Sequence, residues 1–264
     1  MKNLKKYFYM DNEKKELEKS VKIFNMIIVL FLLGGLVYYS FSKLEYTYRW
    51  SETVVKYRNK FWIGFILTVI LSFFSLICSL TIGTVTALCS RSKIIFLRYI
   101  SKIYIEIIRG TPLIVQIYIF FYVVGTAFNM TDRYTMGIFI MSVFSGAYVA
   151  EIIRAGIESI EKSQFETAKA LGLSKYQLYR YIILPQVIKR TMPPLAGQFA
   201  SLIKDSSLLS IIAVNEFTKN VQEVDSLTFA PIENYLILAV GYILLTYPIS
   251  YFSKKLERRF AYEA

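Results

Sequence analysis

Six stretches of the chain are free or nearly free of charge: 23–42, 61–90, 110–131, 134–150, 191–215 and 234–253. The fifth contains Lys204 and Asp205; the others contain no charged residue. A helix that crosses a bilayer needs about 20 mainly apolar residues. The pattern therefore predicts six transmembrane helices and an all-α membrane protein. The first stretch follows a long charged tail, and Tyr38–Ser42 is too bulky for a signal-peptide cleavage site. It is expected to stay as an anchor. The predicted organisation is a tail 1–22, an anchor 23–42, an external linker 43–60, a transmembrane domain 61–256 and a tail 257–264.

The segment 156–190, between the fourth and fifth stretches, has a different pattern. Ile157, Ile160, Phe165, Ala168 and Leu171 recur at helical spacing, which predicts an amphipathic helix over 157–170. Gly172 stands where a left-handed C-terminal cap is expected. Ser174, with Gln177 three residues on, forms the sequence of a capping box and predicts a second helix. Leu184-Pro185 is expected to end it, because the residue before proline is pushed out of the helical region. The prediction is a rigid helix–turn–helix knob at the membrane surface. DNA-binding helices use a similar turn. Here, however, both flanks enter the bilayer within a few residues, so no nucleic-acid role is expected.

Composition supports the membrane assignment. Of 264 residues, 55% are hydrophobic and 19% charged, with mean hydropathy +0.44. Soluble domains have roughly 45–50% apolar and about 25% charged residues. The net charge of +12 is distributed unevenly. If the N-terminus is cytoplasmic, segments 1–22, 91–109, 156–190 and 254–264 lie inside and carry 22 of the 31 lysines and arginines. The outside segments 43–60, 132–133 and 216–233 carry 7. Basic residues favour the cytoplasmic side, so both termini are expected inside a bacterial cell membrane. Lys43, Arg49, Lys56, Arg58 and Lys60 in the first outside segment run against this rule.

The chain has no histidine, which excludes histidine acid–base chemistry, histidine metal ligation and Ser-His-Asp triads. Cys78 and Cys89 would be ~16 Å apart on one helix, beyond disulfide reach. They are expected as buried apolar residues. Neither a catalytic residue nor a metal site is predicted.

Glu166-Thr167-Ala168, Gly172 after three further residues and Leu184-Pro185 beyond resemble the EAA motif of ABC importer permeases. The similarity extends over roughly 61–260. It includes Arg109-Gly110-Thr111-Pro112, Ala147-Tyr148-x-x-Glu151-Ile152-Ile153-Arg154, Leu184-Pro185-Gln186, Pro193-Pro194 and Lys204-Asp205-Ser206-Ser207-Leu208. These motifs look like the polar-amino-acid branch of type I importers. Thr167 departs from the usual second alanine. Residues 1–60 lie outside the five-helix core that the resemblance implies.

The resemblance implies a permease subunit that works by alternating access. An ATPase dimer would dock on Glu166, Thr167, Ala168, Gly172, Leu184 and Pro185. Other implied partners are a second permease, identical or homologous, an extracytoplasmic solute-binding protein and a polar amino acid. ATP and Mg would be bound by the ATPase and no cofactor by this chain. The sequence agrees that hydrolysis lies elsewhere, since no Gly-x-x-x-x-Gly-Lys-Ser/Thr phosphate loop is present.

Charges within membrane spans are costly and are functional candidates by default. Glu151 and Arg154 are one turn apart and can pair. Counted from Pro194, Lys204 and Asp205 lie ~15 Å into their helix. With Ser207 and Gln116 they are the expected substrate-pathway residues. The competing expectation is that these groups only satisfy one another. An ion-coupled secondary amino-acid transporter using Glu151 and Asp205 is the alternative function.

Overall fold

The computed structural model describes residues 18–261; most of the predicted tail 1–22, and residues 262–264, lie outside the described residues. The described residues are helical with no strand. Two compact units divide at Tyr48/Arg49.

The first unit holds one long helix, α1 (Lys19–Ser42), which covers the predicted anchor. Its leucines, isoleucines and valines from Ile23 to Val37, all but the half-buried Ile28, are exposed around the helix. A helix apolar on every side suits lipid. At Gly34 and Gly35 a Cβ would meet nothing within 4 Å.

The second unit begins with a π-helical turn, Ser51–Val55, that runs directly into α2 (Lys56–Ser90). Then come α3 (Ile95–Gly110), and α4 (Leu113–Tyr118), which widens into a π turn over Ile119–Gly125. α5 spans Arg133–Glu158, α6 Lys162–Ala170 and α7 Lys175–Gln177. A π turn over Leu178–Ile183 leads into α8 (Leu184–Asp205), which tightens to a 3₁₀ segment at Ser206–Ile212. α9 (Phe217–Thr228) and α10 (Pro231–Ala261) complete the chain.

By length and apolarity, four helical stretches qualify as spans: α1, 51–90, α5 and α10. The pair α3–α4 makes a fifth if its two arms count as one, and they meet at 112°. The predicted six therefore become four or five by this measure. The expected third span, 110–131, is only the second arm of that pair. Pro112 forces Thr111 into extended backbone (φ −121°, ψ 145°), which breaks the helix there. The expected inside loop 91–109 is largely the first arm, α3. The fifth stretch lies in α8, which is too polar to qualify.

A second correction concerns Leu184-Pro185, which does not end a helix. The π turn before it runs unbroken into α8, with Pro185 in the first turn of α8. The widened π geometry relieves the clash a proline ring makes with the carbonyl four residues back.

The core is built where α2, α4, α5 and α8 meet, around Leu71, Ile117, Met136, Ile140, Phe144 and Leu202. α2 and α5 approach through glycines. A Cβ on Gly83 would lie 2.5 Å from Val149 and 2.8 Å from the Gly146 carbonyl. A Cβ on Gly146 would lie 2.8 Å from Ile82. The absence of a side chain at Gly83 is thus required by close helix packing.

Asp132 caps α5: its carboxylate accepts from Thr135 Oγ1 at 2.6 Å and Thr135 N–H at 2.7 Å. Those two hydrogen bonds hold its pKa below the ordinary carboxylate value. Lys60 pairs with Glu223 at 2.6 Å, giving one member of the anomalous basic cluster a carboxylate partner. The cysteines are not buried as expected. Cys78 is exposed and Cys89 half-buried, so on α2 they act as small apolar surface residues.

Candidate functional site

The predicted knob is present, with its helices shifted. The expected helix 157–170 is interrupted: α5 continues to Glu158, a turn follows, and α6 starts at Lys162. Gly172 has φ +70°, the left-handed conformation predicted for it. Leu173 N–H donates to the Ala168 carbonyl at 3.0 Å, and Gly172 N–H to the Lys169 carbonyl at 3.0 Å. These two bonds form a Schellman cap, with the Leu173 side chain folded onto the same apolar cluster as Ala168. The capping box also forms. Ser174 N–H donates to Gln177 Oε1 at 2.8 Å, and Gln177 N–H to Ser174 Oγ at 3.3 Å. Both ends of the turn are therefore satisfied locally.

Ala168 faces inward, and only 1% of it is exposed. It packs with Ile160, Leu178, Ile183 and Val187. Its small size permits close approach within the chain. Glu166, Thr167 and Gly172 are exposed on the knob. Leu184 and Pro185 are exposed as well, but on the first turn of α8 and beyond the knob.

Two contacts join α5 to α8 at the base of the knob. Arg190 of α8 donates to the carbonyl of Ser159, the C-cap of α5, and to Ser159 Oγ at 2.9 Å. At Gly156, a Cβ would lie 2.3 Å from Thr191 Cγ2, so α5 and α8 touch where the loop begins. Arg190 was not anticipated. A cation near a helix C-terminus is a recognisable signal, but its partner is 31 residues away in sequence.

The substrate-pathway candidates separate into three places. Glu151 and Arg154 pair as expected, with contacts of 2.5 and 2.8 Å. Arg154 also binds Glu158, Arg109 stands 3.7 Å from Glu151, and Arg91 stands 3.9 Å from Glu158. This charged chain lines a cavity of about 500 Å³ that also receives Arg98, Lys102 and Glu106 from α3. Five cations and three carboxylates therefore face one space. The Arg109 guanidinium also lies 5.4 Å from the Tyr148 ring centre.

Lys204, Asp205 and Ser207 do not line that cavity. α8 starts at Leu184, ten residues before Pro194. Lys204 is thus ~30 Å along the helix, still ~15 Å beyond Pro194 and near the end away from the knob. Gln116 lies elsewhere again. It is buried, and its amide donates to the Ile108 carbonyl at 2.7 Å, the Thr111 carbonyl at 3.1 Å and Thr111 Oγ1 at 2.8 Å. It staples the α3–α4 bend.

Glu216 and Glu233, both fully buried, had not been picked out as candidates. Glu216 caps α9 by accepting from Thr218 N–H at 2.9 Å and Lys219 N–H at 2.8 Å, and also binds Tyr242 Oη at 3.0 Å. Glu233 accepts from Arg49 N–H at 2.5 Å. Both sit at the edges of apolar runs, where a carboxylate reads as a boundary.

The family described as "binding-protein-dependent transport system inner membrane component" matches residues 79–262, which include the knob and its flanking helices. The chain belongs to this family. Glutamine transport system permease protein GlnP of Escherichia coli (strain K12) is 39% identical over 163 residues, covering 61% of this chain and 74% of that protein. A probable glutamine ABC transporter permease, GlnM of Bacillus subtilis (strain 168), is 33% identical over 201 residues, covering 75% and 93%. Among solved structures, one described as an amino acid ABC transporter with histidines superposes with a TM-score of 0.75. It is 35% identical and covers 81% of this chain and all of that one. This inner membrane component is thus a multi-pass membrane protein of type I ABC permease fold.

Proposed function

We propose that the chain is the permease subunit of an ABC importer that carries polar amino acids into the cell by alternating access. A separate ATPase dimer docks on α6 and the turn after it. The observation that carries this is the knob. Exposed Glu166 and Thr167 sit on a short helix closed by a Schellman cap and packed through Ala168 on the arm that enters α8, in a family member without a phosphate loop. A helix capped and packed in this way can transmit a push. The amino-acid-transport names of the relatives support the substrate class. The charged cavity supports it too: carboxylates and guanidiniums on one space suit a zwitterion, and its cationic excess suits the carboxylate end. The remaining parts of the proposal are a second permease, an external solute-binding protein and cytoplasmic termini.

The docking is tested by purifying the tagged chain from its native membrane in mild detergent. Wild type is expected to bring down an ATPase subunit, and Glu166→Arg at least tenfold less, because placing a like charge against its docking partner costs several kcal/mol. Glu166 is exposed, so the variant keeps its fold. Equal recovery of the ATPase with both chains, or none with either, contradicts the docking.

A further inference from the structure

A second cavity, a groove of about 580 Å³, lies between the last turns of α2, the end of α5 and the arm that follows the knob. Its floor is almost wholly apolar, formed by Leu88, Ile153, Ile183 and Val187. A polar amino acid gains nothing from such a floor. The rim is different: Arg91 and Arg180 line the same groove, accompanied by Tyr176 and Tyr179. Arg91 is the first residue after α2, the point where the apolar run 61–90 gives way to charge. Its contact with Glu158, at 3.9 Å, is loose and leaves guanidinium donors available. Arg180 is exposed and makes no ion pair with a described residue.

An apolar trough that ends in two guanidiniums at the limit of a membrane span is complementary to one class of molecule. Arginine forks match phosphate oxygens. Exposed tyrosines, such as Tyr176 and Tyr179, settle at the headgroup level of a bilayer. Basic pockets between membrane helices hold anionic headgroups. We propose that this groove binds an anionic phospholipid, one acyl chain on the Leu88–Val187 floor and the phosphodiester between Arg91 and Arg180. The lipid then joins α2 and α5 to the base of the knob. Arg91 also lines the charged cavity, but the lipid site requires only that the chain lies in a membrane.

The test uses the full chain, delipidated in detergent, and measures lipid binding by native mass spectrometry together with thermal stability. Phosphatidylglycerol is expected to bind and raise the melting temperature, with phosphatidylcholine at least tenfold weaker. The double variant Arg91→Gln/Arg180→Gln is expected to lose that preference. Lys254→Gln/Lys255→Gln, which removes the same charge from exposed positions on α10, is expected to keep it. A circular dichroism spectrum and retention volume matching wild type confirm that the double variant is folded; Leu88→Gln gives a second, uncharged route to weaker binding. The proposal is overturned by equal binding of the two lipids to wild type. It is also overturned by a preference that survives the double variant, by stabilisation with inorganic phosphate equal to that with lipid, or by a groove that proves to be covered by a second copy of the chain.

Discussion

Gly172→Val abolishes ATP-driven uptake while leaving the chain inserted in the membrane. Gly172 holds φ +70°, and a Cβ placed on it meets nothing within 4 Å, so the penalty is conformational and not steric. A β-branched residue in that region costs about 2 kcal/mol, equivalent to a roughly 30-fold loss of the capped turn. Without the left-handed residue, the bonds from Gly172 and Leu173 to the α6 carbonyls are lost, and Glu166 is no longer held in one direction. Uptake of labelled amino acid is expected to fall below a tenth of wild type, while membrane quantity and detergent monodispersity stay unchanged. Gly172→Asn is expected to retain much of the activity, since asparagine also tolerates this conformation. Normal uptake by the valine variant would show that the turn does not carry the coupling.

Gly83→Leu acts on the fold instead. The nearest atoms to its Cβ include the Gly146 carbonyl at 2.8 Å, which is backbone and cannot rotate aside. α2 and α5 would have to separate along the central contact of the bundle. Overpacking a well-packed site costs about 1–3 kcal/mol, and loss of a helix–helix contact raises that. The expected result is little monodisperse protein and a clearly lower melting temperature. Gly34→Leu is the control: its Cβ meets nothing within 4 Å, so its melting temperature should match wild type. Equal stability of the two variants would mean that α2 and α5 do not pack through these glycines.

What the sequence disclosed depended on distance along the chain. Gly172, Ser174 and Gln177 were legible because each cap closes within five residues, and local geometry decides it. The Glu151–Arg154 pair was legible for the same reason. Pro112 and Pro185 show the opposite side. Both disfavour helix, yet only Pro112 breaks one; at Pro185 a π turn absorbs the misfit, which no residue-by-residue preference announces. Ala168 was legible on the apolar face of its helix, but its contacts with Leu178, Ile183 and Val187 depend on how the arm after the knob, ten residues and more away, folds back. Arg190 and Glu233 were missed because their partners are distant in sequence, as with Glu233 and Arg49, 184 residues apart; the local cap of Glu216 was open to reading, but not its contact with Tyr242, 26 residues on. Composition identified a membrane protein and the EAA pattern its family. The grouping of eight charges around one cavity emerged only from the packing of α3 against α5.

The central claim is that transport through this chain is driven by ATP on a partner subunit. The most direct measurement is uptake of labelled glutamine and other polar amino acids by cells that express the chain with its partners. Cells are depleted of ATP in one arm and treated with an ionophore at maintained ATP in the other. The account predicts that uptake stops on ATP depletion and persists with the ionophore. Uptake that survives ATP depletion and collapses with the ionophore would contradict it and identify an ion-coupled transporter.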